Sequence, residues 1–360
     1  MTPDERWMRQ ALKLARRGLS YVHPNPMVGA VLVKNNRMVG AGYHRRYGGP
    51  HAEVEALARA GVKAKGATLY LNLEPCAHWG KTPPCVDAVI AAGIKRVVAA
   101  FRDPNPKVAG KGFRKLRAAG IAVVTGVLEE EARELNRAFL HWIQSRRPYV
   151  TLKTASSLDG KIATAKGESK WITGPEARSA GHRLRAEVDA IAVGVGTILA
   201  DDPLLTAHGR GRNPVRVIFD SRLRTPLKAH SLDASAPTWI LIDRSTPLRA
   251  AFKKKTGVRL QAIRRQKPGR LDIKAALDWL GAQGITHLLV EGGGEINSAF
   301  LEADLVDELI WFVAPKIIGG KEARTAVEGQ GIFRLAQAQK LTRFQVTRIG
   351  QDLCIRGSLR

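Results

Sequence analysis

The chain has 360 residues, of which 44% are hydrophobic and 25% are charged, a composition typical of a globular protein long enough to form two domains. No apolar run reaches the roughly 18 residues of a membrane span, and the first residues lack the regions of a signal peptide, so the cytoplasm is the expected compartment. The formal net charge of +26 is spread over both halves without a basic tail, so it suits phosphorylated ligands as well as RNA.

Helices and strands alternate along the first half of the chain. An amphipathic helix is predicted from Glu5 to Gly18. The strands that follow are predicted at 28–33, 37–42, 67–73, 96–101 and 121–125, and the helices at 51–60, 86–92, 112–120 and 129–144. This alternation predicts an α/β fold, a three-layer α/β/α sandwich. Because the last helix stops before Pro148, we place a domain boundary there, which gives domains at 1–146 and 147–360.

Two short segments of the first half hold the residue types of a catalytic zinc site. His51 and Glu53 stand at the predicted start of a helix, and Cys76 is separated by eight residues from Cys85. One imidazole and two thiolates are three ligands of a tetrahedral zinc and leave the fourth position for water. Thr82 is predicted to cap a helix that begins with two prolines and carries Cys85 in its first turn, where a thiol ionises easily.

The order of these residues indicates a hydrolytic deaminase. H-x-E followed by P-C-x-x-C is the pattern of zinc-dependent base deaminases, and the eight residues between Cys76 and Cys85 are the departure from it. In that chemistry zinc activates a water, and Glu53 is the predicted carrier of a proton from the water to the departing ammonia. Three alternatives remain open: an ordinary helix start at His51, core cysteines, and competition by His78 as a ligand.

Strands alternate with helical segments in the second half as well. Buried strands are predicted at 149–153, 188–195, 215–219, 239–242, 287–291 and 308–313, and Cys354 is expected to be a buried strand thiol. The strand at 287–291 runs into three glycines and a helix start, which suits a pyrophosphate but is equally a plain tight turn. The segment lacks G-x-G-x-x-G, so a classical dinucleotide-binding fold is not indicated. With two of the three cysteines assigned to zinc, no disulfide framework is expected.

Taken together, these motifs resemble the family of bifunctional riboflavin biosynthesis deaminase-reductases over nearly the whole chain. The first half has H-A-E, P-C-x8-C ending in T-P-P-C, and H-P-N-P-x-V-G at 23–29. The second half matches the family's reductase at 153–160, 167–173, 196–206 and 220–222. The resemblance implies a cytidine-deaminase-like domain that uses Zn²⁺, at 1–146, followed by a dihydrofolate-reductase-like domain that uses NADPH, at 147–360.

The resemblance also implies roles for individual residues. His51, Cys76 and Cys85 are the implied zinc ligands, and Glu53 is the implied catalytic residue. The implied NADP contacts are Ala155, Trp171, Thr197, Asp201, Ser221, Gly293, Gly294, Glu295, Ile296, Asn297, Ser298 and Ala299. The implied substrate contacts are Asn25, Ser169, Arg185, Leu205, His208 and Glu291. The family commonly has an arginine where this chain has His208, and Lys153 and Asp201 are candidates for proton handling.

For several of these residues the sequence leaves a structural alternative. The Asn25 turn is accounted for by its flanking prolines alone, and a contact with the substrate base is the functional interpretation. Arg185 has the forked guanidinium that pairs with phosphate. Trp171 can serve as a flat apolar wall for the cofactor or can simply pack in the core.

The implied function is a two-step cytoplasmic enzyme of riboflavin biosynthesis. The first domain deaminates 2,5-diamino-6-(5-phosphoribosylamino)pyrimidin-4-one. The second reduces the ribosyl group of 5-amino-6-(5-phosphoribosylamino)uracil to ribityl with NADPH. A homo-oligomer, a dimer or tetramer, is common in the family, and no nucleic-acid or membrane partner is expected. The alternatives are a tRNA or single-strand base deaminase with an accessory domain, and a zinc-stabilised binding module.

Overall fold

The computed structural model describes residues 1–106, 108–267 and 269–359, and the chain forms two compact units, Met1–Arg146 and Arg147–Arg360. The elements of the first unit are α1 Pro3–Ala15, β1 Gly29–Lys34, β2 Arg37–Tyr43, α2 Ala52–Ala60, β3 Thr68–Leu71, α3 Cys85–Ala91, β4 Arg96–Ala99, α4 Lys111–Ala118, β5 Ala122–Thr125, α5 Glu129–Leu135 and α6 Arg137–Ser145. The strands form one sheet in the order β2-β1-β3-β4-β5, in which β3, β4 and β5 run parallel and β1 is antiparallel to both of its neighbours.

Helices cover both faces of this sheet. Leu32 of β1 packs in a core with Ala56 of α2 and Leu116 of α4. The next residue of β1, Val33, belongs to a second core with Met8 of α1. Because successive strand residues point to opposite faces, the continuous apolar run of β1 fills both cores. The predicted three-layer α/β/α sandwich is therefore confirmed.

One helix of the first unit differs from the prediction. A single helix at 129–144 is wrong, because the chain forms α5 and α6 with a break at Asn136. The side chain of Asn136 accepts a hydrogen bond from the Met27 amide at 2.8 Å and donates one to the Met27 carbonyl at 3.0 Å. This buried pairing between distant segments fixes the break in the helix. No local sequence pattern predicts the break.

The second unit is built around a nine-stranded sheet. Its elements are β6 Tyr149–Ser157, α7 Pro175–Glu187, β7 Ala190–Gly194, α8 Val195–Asp201, β8 Val215–Phe219, β9 Thr238–Asp243, α9 Ala250–Lys253, β10 Val258–Ile263, β11 Arg265–Lys267, β12 Arg270–Leu271, α10 Ile273–Ala282, β13 His287–Val290, α11 Gly294–Glu302, β14 Glu308–Ala314, β15 Thr342–Ile349 and β16 Asp352–Ser358. The order is β10-β9-β8-β7-β13-β6-β14-β16-β15, and β11 and β12 form a separate hairpin.

The first seven strands of this order are parallel, and the last two pairings, β14 with β16 and β16 with β15, are antiparallel. Parallel strands place their carboxyl ends at one edge, where ligands bind in open α/β sheets. The loops after β7, β8 and β13 therefore lie side by side. Cys354 is buried in β16, as predicted. No helix in the described ranges is both long and apolar enough to cross a membrane.

Candidate active sites

Three side chains of the first unit form a compact cluster of metal-ligand type. The Nδ1 atom of His51 lies 3.1 Å from the Sγ atom of Cys85 and 3.5 Å from that of Cys76. The ligand atoms of the three residues all lie within 4.8 Å of one another. His51 is the N-cap of α2, Cys76 follows β3, and Cys85 is the first residue of α3. The sheet and two helix starts thus bring together residues that are up to 34 positions apart.

This cluster fits a zinc ion. Zinc–sulfur bonds of about 2.3 Å and zinc–nitrogen bonds of about 2.0–2.1 Å at tetrahedral angles require N–S separations of roughly 3.6 Å. The separations of 3.1 and 3.5 Å between the His51 nitrogen and the two sulfurs are close to that value. Three protein ligands leave one position for water, as in catalytic rather than structural zinc sites.

The helix that carries Cys85 begins later than predicted. Thr82 does not cap it and the two prolines are not its first residues, because α3 begins at Cys85 with Pro84 as an extended N-cap. The Cys85 amide donates to the Cys76 sulfur at 3.3 Å, and the Val86 amide donates to the Cys76 carbonyl at 3.2 Å. These bonds hold the first turn against the Cys76 loop. The Thr82 hydroxyl instead lies 3.4 Å from Nε2 of His51.

In the absence of a metal, the pKa values of the two thiols shift in opposite directions. A hydrogen bond from the Cys85 thiol lowers the pKa of Cys76 to about 4. The same hydrogen bond, followed by burial, raises the pKa of Cys85. Cys76 is therefore the thiolate and Cys85 holds the shared proton. A zinc ion that uses both sulfurs must displace this proton.

Zinc affinity is accordingly expected to fall as the pH falls, because protons and zinc compete for the Cys85 sulfur. We expect proton release when zinc is added to chelator-treated protein in weak buffer, and a steady loss of affinity in chelator competition between about pH 8 and pH 6. Cys354→Ser is the matched control, since that thiol lies buried in β16 outside the cluster. Affinity independent of pH would contradict ligation by both cysteines.

Glu53 is a buried carboxyl beside this cluster. It lies in the first turn of α2 and is 3% exposed. Burial, followed by the negative charge of Cys76, raises the pKa of Glu53 to about 7. A carboxyl whose pKa is close to the working pH can both take up and release a proton, which is the requirement for a proton carrier.

His51, Cys76 and Glu53 line a cavity of about 410 Å³. Asn25 lines it and donates from Nδ2 to Nε2 of His44 at 3.1 Å, while Nδ1 of His44 donates to the Pro50 carbonyl at 2.9 Å. Burial lowers the pKa of His44, which keeps the ring neutral and able to accept from Asn25. The sequence analysis missed His44, which directly follows β2 and precedes the zinc motif by seven residues. His78 also lines the cavity but lies outside the three-residue cluster.

Glu74 is a buried carboxylate that organises the loop carrying Cys76. Its Oε1 atom accepts from the amides of Gly112 and Phe113, at 2.9 and 3.3 Å, and its Oε2 atom accepts from those of Asp103 and Gly110, at 3.2 and 2.9 Å. These four bonds tie the end of β3 to the start of α4. Sequence reasoning missed this role, because the partners are 29 to 39 residues away.

Glu74→Gln is expected to lower the free energy of unfolding by about 3 kcal/mol. The glutamine oxygen can still accept from two backbone amides, but its NH2 group would face the other two, which are donors themselves and would lose their acceptor. Urea unfolding of the full chain measures the change. Glu134→Gln is the control, because Glu134 forms an exposed ion pair with Arg137 whose loss costs less than about 1 kcal/mol. Equal effects of the two substitutions would contradict the structural role of Glu74.

The second unit has a cavity of about 360 Å³ at the carboxyl ends of its central strands. The residues implied by resemblance that line it are Ser169, Thr197, Asp201, Ser221, Gly293, Gly294, Glu295, Ile296 and Ala299. Ala155 packs instead in the small core under α7, and Leu205 lies buried in the core beside α8. Asn297 and Ser298 are buried, and they bond to the carbonyls of Ala326 and Glu295, respectively.

Two of the three glycines at the start of α11, Gly292 and Gly294, are required by close packing rather than by a turn. A Cβ atom on Gly292 would lie 1.7 Å from Cγ2 of Ile296, and one on Gly294 would lie 2.5 Å from the Thr325 carbonyl oxygen. Gly293, the N-cap, has a φ of −78°, which any residue can adopt. The first amides of α11 have no intrahelical acceptor and are suited to an anion such as a pyrophosphate.

A buried charge cluster lies next to this cavity, at the end of β13. Glu291 is bound at both oxygens by Arg185, with Nε–Oε1 and Nη2–Oε2 distances of 3.1 and 2.8 Å, and Nζ of Lys153 is 3.6 Å from Oε2. Burial alone would raise the pKa of Glu291, but Arg185 and then Lys153 outweigh it and bring the pKa to about 2. Arg185 also donates to the Thr206 carbonyl, so these bonds engage three of its five N–H groups.

His208 and His182 form a stacked pair near Arg185, with ring centroids 4.0 Å apart. Burial, then His208, lowers the pKa of His182 to about 4. Burial, then Arg185, lowers the pKa of His208. Both rings are therefore neutral at pH 7. The ring of His208 is thus uncharged at the position where an arginine is expected from the resemblance.

The other implied reductase residues lie apart from the charge cluster. Asp201 accepts a hydrogen bond from the Ser169 hydroxyl at 3.0 Å, so the two candidates for proton handling, Lys153 and Asp201, belong to different groups. Trp171 is 63% exposed, with the Arg178 guanidinium 4.5 Å from its ring centroid. The alternative of core packing for Trp171 is therefore wrong.

Known proteins resemble the chain over its whole length. The family "Cytidine and deoxycytidylate deaminase zinc-binding region" matches residues 1–101, and "RibD C-terminal domain" matches residues 148–355. "Riboflavin biosynthesis protein RibD" of Aquifex aeolicus (strain VF5) is 46% identical over 354 residues, which are 98% of this chain and 97% of that protein.

Solved structures agree with these sequence matches. Acinetobacter baumannii RibD (form 1) has a TM-score of 0.89 and 41% identity, covering 99% of this chain and 98% of its own. A diaminohydroxyphosphoribosylaminopyrimidine deaminase/5-amino-6-(5-phosphoribosylamino)uracil reductase from Thermotoga maritima has a TM-score of 0.86 and 37% identity, covering 99% and 98% of the two chains. These likenesses confirm the predicted succession of a deaminase-like and a reductase-like fold.

Proposed function

Because the chain belongs to the family of bifunctional riboflavin biosynthesis deaminase-reductases, which use zinc and NADPH, we propose that residues 1–146 form the deaminase and residues 147–360 the reductase. The proposed first substrate is 2,5-diamino-6-(5-phosphoribosylamino)pyrimidin-4-one. The proposed second reaction reduces the ribosyl group of 5-amino-6-(5-phosphoribosylamino)uracil to ribityl. The observation that carries the deaminase assignment is the His51, Cys76 and Cys85 cluster with Glu53 buried beside it.

In the deaminase, the zinc ion held by His51, Cys76 and Cys85 would act as a Lewis acid that activates a water. Glu53 takes the proton of that water and delivers it to the departing amine, because its pKa of about 7 allows both transfers. Asn25 contacts the pyrimidine with its amide oxygen. The neutral ring of His44 supports this contact, since it accepts from Nδ2 and so fixes which way the amide faces.

In the reductase, NADPH would supply the hydride from the cavity of about 360 Å³. Glu291 holds Arg185 and Lys153 beside the entry to α11, where the two cations can face the phosphate and the reacting sugar. Lys153 is the better supported proton donor, because Asp201 is already hydrogen-bonded to Ser169 and lies outside this cluster. Ser169, Leu205 and His208 complete the proposed substrate contacts. The proposed NADP contacts are Ala155, Trp171, Thr197, Asp201, Ser221, and the residues at 293–299.

We also propose a cytoplasmic homo-oligomer that acts on small molecules. Three cysteines, none in a disulfide, suit a reducing compartment. Phe333 and Leu335 are 90% and 87% exposed, and Phe344 of β15 is 59% exposed, which supports burial by a second copy. A nucleic-acid deaminase is not favoured, because the relatives that match over nearly the whole chain are riboflavin biosynthesis proteins.

The experiment that tests this function supplies the phosphoribosylated diaminopyrimidinone with and without NADPH, and follows ammonia and coenzyme oxidation separately. Ammonia release is expected without NADPH, and oxidation is expected only after deamination. NADPH oxidation without prior ammonia release would reverse the proposed order of the two reactions. Deamination of an RNA oligonucleotide in place of the pyrimidine would favour the nucleic-acid alternative.

A further inference from the structure

One face of α6 forms a wall of the cavity of about 410 Å³, and the proposed proton transfer does not use it. The residues of α6 and its C-cap that line the cavity are Phe139, Trp142, Ile143 and Arg146. A spacing of three, four and seven residues places side chains on one face of a helix. Phe139 and Ile143 are buried, Trp142 is half-buried and Arg146 is exposed. The wall therefore changes from apolar at its start to cationic at its end.

Arg146 has a backbone conformation that favours glycine. It is the C-cap of α6, and its φ of 61° lies in the left-handed region. The Arg146 amide donates to the Trp142 carbonyl at 2.9 Å, and Cζ of the guanidinium lies 5.5 Å from the centroid of the Trp142 ring. Non-glycine residues held in this region cluster at ligand sites. Because glycine would suit the backbone better, the role of Arg146 is expected to lie in its guanidinium.

The carboxyl groups that line this cavity lie at its zinc end. Glu53 is beside the cluster of His51, Cys76 and Cys85, and Oε2 of Glu74 accepts from the amide of Asp103 at 3.2 Å. Glu74 in turn precedes Cys76 by two residues.

The lining residues with a permanent positive charge are Lys81 and Arg146. Lys81 belongs to the loop between the two cysteines, and its Nζ atom lies 4.0 Å from the centroid of the Tyr47 ring. Among the residues that the structure describes, no carboxylate forms an ion pair with Arg146. The guanidinium is therefore available to an anion that enters the cavity.

The position of Arg146 matches the shape of the first substrate. Asn136, just before α6, is hydrogen-bonded to Met27, two residues from Asn25, the proposed contact of the pyrimidine. The lining face of α6 thus begins near the pyrimidine. It runs seven residues from Phe139 to Arg146, about 10 Å at 1.5 Å per residue. The substrate likewise carries its phosphate at the far end of a ribosylamino group, away from the ring that is deaminated.

We propose that Arg146 binds the phosphate of the deaminase substrate, with the Trp142 ring supporting the guanidinium. This inference rests on the proposed deamination of the phosphoribosylated pyrimidine. A guanidinium binds phosphate oxygens through paired, charge-assisted hydrogen bonds, and it can lie over an aromatic ring while its N–H groups face the phosphate. The contact makes the deaminase prefer the phosphorylated pyrimidine to the same compound without phosphate.

The test compares the phosphorylated diaminopyrimidinone with its phosphatase-treated form, using the full chain. Arg146→Gly is the informative variant, because glycine favours the left-handed backbone and the guanidinium is removed without disturbing the helix end. We expect kcat/KM for ammonia release to fall roughly 10- to 100-fold with the phosphorylated compound and to stay within about twofold with the dephosphorylated one. Arg146→Lys should retain part of the preference, because the charge is kept. Arg117→Ala, an exposed arginine of α4 outside the cavity, is the matched control.

Lys81→Ala, the other cation of the cavity, separates the proposal from its nearest rival. A loss confined to the phosphorylated compound in Arg146→Gly supports the proposal. A selective loss in Lys81→Ala with none in Arg146→Gly overturns it. Equal losses with both compounds in Arg146→Gly also overturn it, because Arg146 would then shape the cavity without binding phosphate. A wild-type chain that releases ammonia from neither compound would overturn the deaminase assignment itself.

Discussion

Glu53→Gln is expected to reduce ammonia release by about 10²- to 10⁴-fold, the contribution of a positioned general acid–base group. The amide is nearly isosteric with the carboxyl but cannot carry a proton from water to the leaving amine. Because Glu53 is not one of the three clustered ligands, zinc content should stay unchanged. Parallel measurements of ammonia release, zinc content, and NADPH oxidation with the deaminated uracil as substrate separate the two activities.

Glu55→Gln is the matched control on the same helix. Glu55 lies in the first turn of α2 but pairs with Arg45 and Arg59 at the surface, at 3.4 and 3.6 Å. Its substitution should leave ammonia release within about twofold of wild type, because an exposed ion pair is worth less than about 1 kcal/mol. If Glu53→Gln retained full activity with zinc bound, a zinc-stabilised binding module would become the better description of the first unit.

Glu291→Gln is expected to lower the free energy of unfolding of the second unit by about 3–5 kcal/mol. The substitution leaves the Arg185 guanidinium and the Lys153 ammonium buried together without their shared counter-charge. Reduction of the uracil substrate should also be lost, because the same carboxylate positions both cations. Denaturant unfolding measures the first effect, and coenzyme oxidation measures the second.

The stability effect of Glu291→Gln should depend on pH with a defined sign. The folded pKa of Glu291, about 2, lies below its ordinary value of 4.5, so the ionised carboxylate stabilises the folded state. This contribution is complete above pH 4.5 and is lost as the pH falls toward 2, so the difference from wild type should shrink over that window. Asp278→Asn is the control, since the Asp278 pair with Arg147 is half exposed. A pH-independent difference would contradict the ion-pair explanation.

The zinc cluster could be predicted because its chemistry is local in sequence. Imidazole, carboxyl and thiol groups with helix-start residues beside them restrict the geometry before any fold is known. The three-layer sandwich could likewise be predicted from the alternation of strands and helices, because the spacing of apolar residues distinguishes a helix from a strand. Each of the two zinc motifs, His51–Glu53 and Cys76–Cys85, and each element of the sandwich is a short pattern in the sequence.

The features that escaped prediction depend on contacts between distant residues. The break at Asn136 is set by its bonds to Met27, and the start of α3 is set by the bonds from Cys85 and Val86 to Cys76. Propensity is a weak prior that tertiary contacts override. The role of Glu74 also depends on distant residues, because no sequence spacing predicts that one carboxylate accepts hydrogen bonds from four backbone amides.

Strands at the margin of the second sheet were also beyond sequence reasoning. β15 is exposed along almost its entire length, and β10, at the opposite edge, has only Ile263 buried. An edge strand lacks the apolar run that marks a buried one. Of the reductase residues named by resemblance, Asn297 and Ser298 are buried, while Ser221 and Gly294 line the cavity.

X-ray absorption at the zinc edge of the purified chain tests the central claim most directly. A catalytic site held by His51, Cys76 and Cys85 predicts one zinc per chain with two sulfur neighbours at about 2.3 Å and two nitrogen or oxygen neighbours at about 2.0–2.1 Å. The fourth neighbour should exchange with solvent or with an added anion. A zinc with four protein ligands and no exchangeable neighbour, or a chain that binds no zinc, would contradict the account.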